Sequence, residues 1–118
     1  MPKKILVIDD DPTLLKMLES FLSSHGYTVS VVHGGEEAIL HIKKFRPDLI
    51  ILDVQMPKMN GYTFIFELKK VIDVSTLPII VLTAKGGMEE IFKVEGVKEY
   101  VIKPFQSDAL LEKVKKYV

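Results

Sequence analysis

Short runs of consecutive apolar, β-favouring residues recur along this chain, and each is followed by a longer stretch whose apolar residues return every three or four positions. That alternation constrains the fold more than any other feature. A strand without a polar face must be covered on both sides, and helices with one apolar stripe supply that cover. The runs fall at residues 5–8, 27–32, 49–52, 79–82 and about 100–102, so the chain reads as βα units around a parallel sheet. Between the runs, Asp11 reads as a helix N-cap with Pro12 at the first helical position, and Gly26 as the left-handed stop. A second helix from about Gly35 must end before Pro47. A third presents Phe64, Ile65, Leu68 and Ile72, a short fourth spans about 88–95, and Ser107 is placed to cap a last helix carrying Leu110, Leu111, Val114 and Val118 inward. The architecture expected is an α/β, doubly wound (βα)5 flavodoxin-like fold with a five-stranded parallel sheet of order 2-1-3-4-5.

The 118 residues suffice for one core, so residues 1–118 read as a single domain with its output carried by a separate molecule. Sixteen basic residues balance 16 acidic ones, which gives no reason to expect nucleic-acid or anionic-membrane binding. Without Cys, thiol chemistry and cysteine-ligated zinc are excluded. No secretory signal and no apolar run of about 20 residues is present, so a cytoplasmic protein is expected.

In a parallel sheet all carboxyl ends lie on one edge, where ligands bind. Here that edge receives Asp9 and Asp10 from strand one, Asp53 from strand three, Thr83 from strand four and Lys103 from strand five. Taken singly, Asp9 to Asp11 is a capped turn and Asp53 a turn former. The placement of polar groups behind four apolar strands is not explained by loop composition. Three carboxylates in a partly desolvated pocket repel one another, and a hard divalent cation, most simply Mg²⁺, relieves that repulsion. Lys103 and Thr83 then form an electropositive, hydrogen-bonding side for an anion. An acidic metal side facing such a side suits a transferring phosphoryl group, with Asp53 as the nucleophile. His25, His33 and His41 show no ligand spacing and read as surface residues. The glycine pairs 34–35 and 86–87 read as loops, and Met56 and Met59, flanking Pro57, as packing residues or part of a partner contact.

Four motifs, "ILVIDDDP", "PDLIILDVQMPKMNG", "LPIIVLTA" and "YVIKPF", occur in this order along the whole chain, which resembles the receiver domains of two-component response regulators. The resemblance implies that Asp53 accepts a phosphoryl group from a phosphohistidine on a sensor histidine kinase or histidine phosphotransfer protein. It implies Mg²⁺ held by Asp10 and Asp53, by the backbone carbonyl of Gln55, and by Asp9 mainly through water. Thr83 matches the switch hydroxyl, Tyr100 the switch aromatic, and Lys103 the lysine that pairs with the phosphoryl oxygens and, before modification, with Asp53. The peptide before Pro104 is cis in that family. Gln55 and Lys85 match positions flanking the path of the hydrolytic water; both are long here, which implies a long-lived acyl phosphate. The protein would then be a regulatory phosphoacceptor rather than an enzyme, a monomer or weak dimer acting on a separate downstream effector. Thr83 and Lys103 stand closer in sequence than is usual in the family, and the shortening falls between "LTA" and "EGVKEY", at the short fourth helix.

Rival readings are separable. A small Mg²⁺-dependent phosphatase with an Asp nucleophile usually carries an acid two positions after it, where this chain has Gln55. A flavin-binding electron carrier needs a phosphate loop after strand one, where "DDDP" would repel phosphate. A non-phosphorylated pseudo-receiver would not need the acid, Thr and Lys set.

Overall fold

The computed structural model describes residues 2–53, 61–84 and 97–118. Its elements alternate as expected: β1 (Lys4–Ile8), α1 (Pro12–Ser24), β2 (Thr28–Val32), α2 (Gly35–Phe45), β3 (Leu49–Asp53), α3 (Gly61–Leu68), a 3₁₀ turn (Val74–Thr76), β4 (Ile79–Ala84), β5 (Val97–Lys103) and α4 (Ser107–Tyr117). The strands form one sheet in the order β2-β1-β3-β4-β5, with every neighbouring pair parallel.

Alternation along the strands divides the core in two. Leu6, Ile8, Ile50, Leu52, Ile79 and Val81 pack with α2 and α3 residues, including Ala38, Ile42, Phe64, Ile65 and Leu68. Ile5, Val7, Leu49, Ile51, Ile80 and Leu82 point the other way, onto Leu15, Leu18 and Leu22 of α1 and Leu110, Leu111 and Val114 of α4. Both faces are therefore filled, which is why β1, β3 and β4 show no polar face.

Local chemistry sets the helix ends. Asp11 is the N-cap of α1, its Oδ1 accepting from the amides of Thr13 (3.0 Å) and Leu14 (3.4 Å), with Pro12 behind it. Gly26, at φ +93°, takes the left-handed conformation that closes this helix. Helix α2 stops at Arg46, which adopts φ 51° without being glycine, just before Pro47.

Three sequence expectations are corrected here. Helix α3 ends at Leu68, and the amides of Lys70 and Val71 turn to carbonyls three residues back, at 3.1 and 3.0 Å, so the last turn tightens. Ile72 lies beyond the helix but still packs on the core, because its amide reaches the Leu68 carbonyl. Strand β5 is longer than residues 100–102, with an irregularity in its pairing beside Ile79 and Ile80. Finally Gln106, not Ser107, is the N-cap residue of α4, with no side-chain cap. The Leu110 amide bonds to the Gln106 carbonyl, so Ser107 already lies inside the first turn. The short helix expected at about 88–95 and the glycines at 86–87 lie outside the described residues.

Candidate functional site

Strand register explains which polar groups meet. Ile8 pairs with Leu52, so the next residues outward on β1 and β3 are Asp9 and Asp53. Leu52 pairs with Val81 and Asp53 with Leu82, and β4 in turn pairs Thr83 with Ile102 and Ala84 with Lys103. Four strands thus end on one edge in polar residues.

Within that edge the groups differ sharply. Asp9 is fully buried, Asp53 is 5 % exposed and Thr83 3 % exposed. Asp9 spends both carboxylate oxygens internally: Oδ1 accepts from the Asp11 amide at 3.0 Å, and Oδ2 from the Lys103 ammonium at 2.9 Å. The same ammonium lies 3.8 Å from Asp53 Oδ1. Lys103 therefore does lie beside Asp53 but holds Asp9 more tightly, a contact that no motif indicates. Asp10 is exposed, on the turn between β1 and α1. The adjacent Asp11 caps α1, and Asp9 holds the turn before it through its bond to the Asp11 amide.

Asp9, Asp10 and Asp53 each offer a carboxylate oxygen, all within 4.8 Å of one another. Oxygen-only donors, with two of the three carboxylates buried, fit a hard divalent cation of the Mg²⁺ type. Opposite parity along the strands sends Thr83 to the sheet face of Tyr100 and Ile102, whereas Lys103 continues the face of Val101. Tyr100 and Ile102 are 38 % and 43 % exposed, so β5 presents a partly apolar outer stripe. The Lys103–Pro104 peptide is cis. Gln55 and Lys85, together with Met56, Pro57 and Met59, lie outside the described residues.

The chain belongs to the response regulator receiver domain family. The family model matches residues 5–115. Among curated proteins the chain is 43 % identical over 115 residues to "Probable transcriptional regulator ycf27" of Pyropia yezoensis, a match covering 96 % of this chain and 46 % of that protein. The chain thus spans about half the length of the curated relatives it matches. Among solved structures it is similar to the chemotaxis response regulator CheY4 of Vibrio cholerae, with TM-score 0.90, 28 % identity and 100 % of both chains covered. It is also similar to the response regulator TrrA of Thermotoga maritima in complex with Mg(2+)-BeF, with TM-score 0.82, 35 % identity, and coverage of 98 % and 99 %. The five-stranded order and the receiver family agree with the sequence reading.

A second polar cluster escaped the sequence reading. Glu99, on β5, accepts from Lys113 (3.2 Å), Lys116 (3.0 Å) and the Tyr117 hydroxyl (2.8 Å) of α4. The Tyr117 hydroxyl bond, followed by that of Lys116, holds its carboxyl down at about 2. Burial, then the Glu99 bond, raises the Tyr117 hydroxyl. Alternation alone places Glu99 on the face of Val101, so the signal was an acid on an edge strand facing a lysine-rich helix. His41 also departs from the surface reading: half-buried, it bonds Ser30 Oγ at 2.8 Å and stacks on Phe45. No helix among the described residues is long and apolar enough to cross a membrane.

Proposed function

We propose that this receiver domain accepts a phosphoryl group on Asp53 from a sensor histidine kinase or histidine phosphotransfer protein, and passes the change to a downstream effector. The observation that carries the reading is the placement of a buried Asp53 carboxylate beside both the Lys103 ammonium and two further carboxylates. A carboxylate oxygen of Asp53 attacks phosphorus as the P–N bond to imidazole breaks. The electron pair returns to the ring nitrogen, and an acyl phosphate remains. Asp9, Asp10 and Asp53, with the Gln55 carbonyl as the family pattern suggests, would hold Mg²⁺. When bound, the metal supplies positive charge for the oxygens of the transferring group.

Lys103 performs the complementary task from the other side. Its ammonium lies within 4 Å of Asp53, so a phosphoryl oxygen there finds a donor close by once it draws the ammonium from Asp9. The Thr83 hydroxyl is the candidate second donor. Because Thr83 shares its face with Tyr100 and Ile102, a shift of its hydroxyl toward the phosphoryl group alters the packing available to Tyr100. That is the proposed route from the site to the partner-binding surface. Long side chains at Gln55 and Lys85 would shield the acyl phosphate from water and slow its loss. Turnover of a separate substrate is not part of this reading: the domain modifies itself.

Incubation with a small acyl phosphate and Mg²⁺, followed by intact mass, tests the proposal. One phosphoryl group should add to the parent, none to Asp53→Asn, and the adduct should be labile to hydroxylamine as an acyl phosphate is. A parent that gains nothing under these conditions would reject it in favour of a non-phosphorylated interaction module, and an Asp53→Asn variant that gains as much as the parent would reject Asp53 as the acceptor.

A further inference from the structure

Helix α2 carries an exposed apolar side chain that the strand-edge site does not use. Leu40 is 76 % exposed, more than Met17, Phe66, Tyr100 or Ile102. Beside it runs a groove of about 340 Å³ between α2 and α3, lined by Glu36, Ile39, Leu40, Thr63 and Glu67. The residues flanking Leu40 are symmetric about it. Glu36 and Glu37 lie four and three positions before it, and Lys43 and Lys44 three and four positions after. On a helix, steps of three and four return to one stripe, so all five side chains share a surface. Each of them is exposed, and none of the four charged groups is engaged in an ion pair or hydrogen bond among the described residues.

Acids in the first turn and bases in the last also suit the helix dipole, which accounts for the signs of these charges. It does not account for a leucine at their centre, left in water beside an open groove. We propose that this stripe is an interface for a second copy of this chain, with the two α2 helices antiparallel about a two-fold axis at Leu40. In that arrangement Glu36 faces the partner's Lys44 and Glu37 faces the partner's Lys43. The same two pairs recur on the other side of the axis, as an isologous contact requires. Leu40 of each copy enters the groove beside the other's Leu40. A parallel arrangement would oppose like charges, so the pattern selects one orientation.

The helix has 11 residues, and the rim pairs are exposed, so the contact belongs with small transient interfaces rather than obligate ones. Helix α2 packs against β1 and β2, at the opposite end of the sheet from β5. Pairing through α2 therefore leaves Tyr100, Ile102 and α4 open for another partner.

Sedimentation equilibrium of the 118-residue chain over a series reaching ~1 mM at low salt tests this, alongside amide spectra across the same series. The mean mass should rise with concentration, and concentration-dependent broadening should centre on α2 and the facing side of α3. Leu40→Asp should weaken association at least tenfold. The double variants Glu36→Lys with Glu37→Lys, and Lys43→Glu with Lys44→Glu, should each be at least tenfold weaker alone. Their equimolar mixture, an all-basic stripe against an all-acidic one, should associate at least as tightly as the parent. Thermal melts check that each variant is folded. A parent that stays monomeric throughout, broadening centred on β5 or α4, or a Leu40→Asp variant that pairs like the parent would overturn the proposal. So would folded charge variants whose mixture does not associate.

Discussion

Replacing Lys103 by Met removes an ammonium while keeping most of the buried stem, and its consequence can be worked from two distances. The ammonium is 2.9 Å from an Asp9 oxygen and 3.8 Å from an Asp53 oxygen. At an effective dielectric of about 20 these separations correspond to gross attractions of ~6 and ~4 kcal/mol. Desolvation of the three groups offsets much of that, and breaking a buried pair by deleting one partner typically costs about 3–5 kcal/mol. The Lys103 side chain is 29 % exposed, so solvent screens part of the interaction and the lower end, ~3 kcal/mol, is expected. That is a large share of an ordinary domain stability of about 5–15 kcal/mol, yet leaves the fold intact. Metal should matter more to the variant than to the parent. The ammonium lies within 4 Å of two candidate ligand carboxylates, where it repels any divalent cation and satisfies Asp9 without one. In Lys103→Met a bound cation takes the place of the one ammonium that the described residues bring to Asp9 and Asp53, and Mg²⁺ affinity should rise about tenfold, equivalent to ~1.4 kcal/mol. Urea unfolding of both proteins, with chelator and with excess Mg²⁺, measures the two quantities together. Equal midpoints for parent and variant in chelator, or equal Mg²⁺ stabilisation of both, would show that Lys103 is not the internal counter-ion of this site.

Three further outcomes follow from single residues. Glu99 titrates at about 2 in the folded protein against 4.5 for a free glutamate; its folded value is lowered, so its contribution is complete above about 4.5 and is lost as pH falls from there toward 2. The shift bounds that contribution at ~3 kcal/mol, and screening at this partly open surface leaves about 1 kcal/mol, so Glu99→Gln should flatten the acid limb of a stability–pH curve between these values. Arg46→Gly should raise the melting temperature by a few degrees, since relief of the left-handed φ of 51° is worth about 1 kcal/mol and exceeds the added chain entropy. Asp11→Ala removes the acceptor of two amides at the start of α1 and should cost ~1 kcal/mol in urea unfolding without changing the metal response, which would separate the capping aspartate from its two neighbours.

What the sequence discloses here is what period and chain chemistry encode locally. Residues 49–52 are apolar without a break, and a strand of that kind has nowhere to go but the middle of a sheet. Asp11, Pro12 and Gly26 announce the ends of α1 because each acts on the backbone within a few residues of itself. Arg46 is silent for the opposite reason: the left-handed position it fills usually takes glycine, and nothing in an arginine signals that conformation locally. Ser107 has the residue type of a cap, since serine is favoured there. The helix nevertheless begins at Ser107, one place earlier than a serine cap would require, and Gln106 takes the cap position. The site itself divides along the same line. That acids, a hydroxyl and an ammonium reach one edge follows from strand order, and strand order follows from the βα alternation. Which acid the ammonium chooses does not. Lys103 and Asp9 are 94 positions apart, and their 2.9 Å contact depends on the register of three intervening strand pairs and on the burial that strips Asp9 of water. A carboxylate so placed needs a permanent partner. Lys103 is therefore occupied before any ligand arrives, and whatever anion or cation enters this edge must compete with Asp9 for it or replace it there.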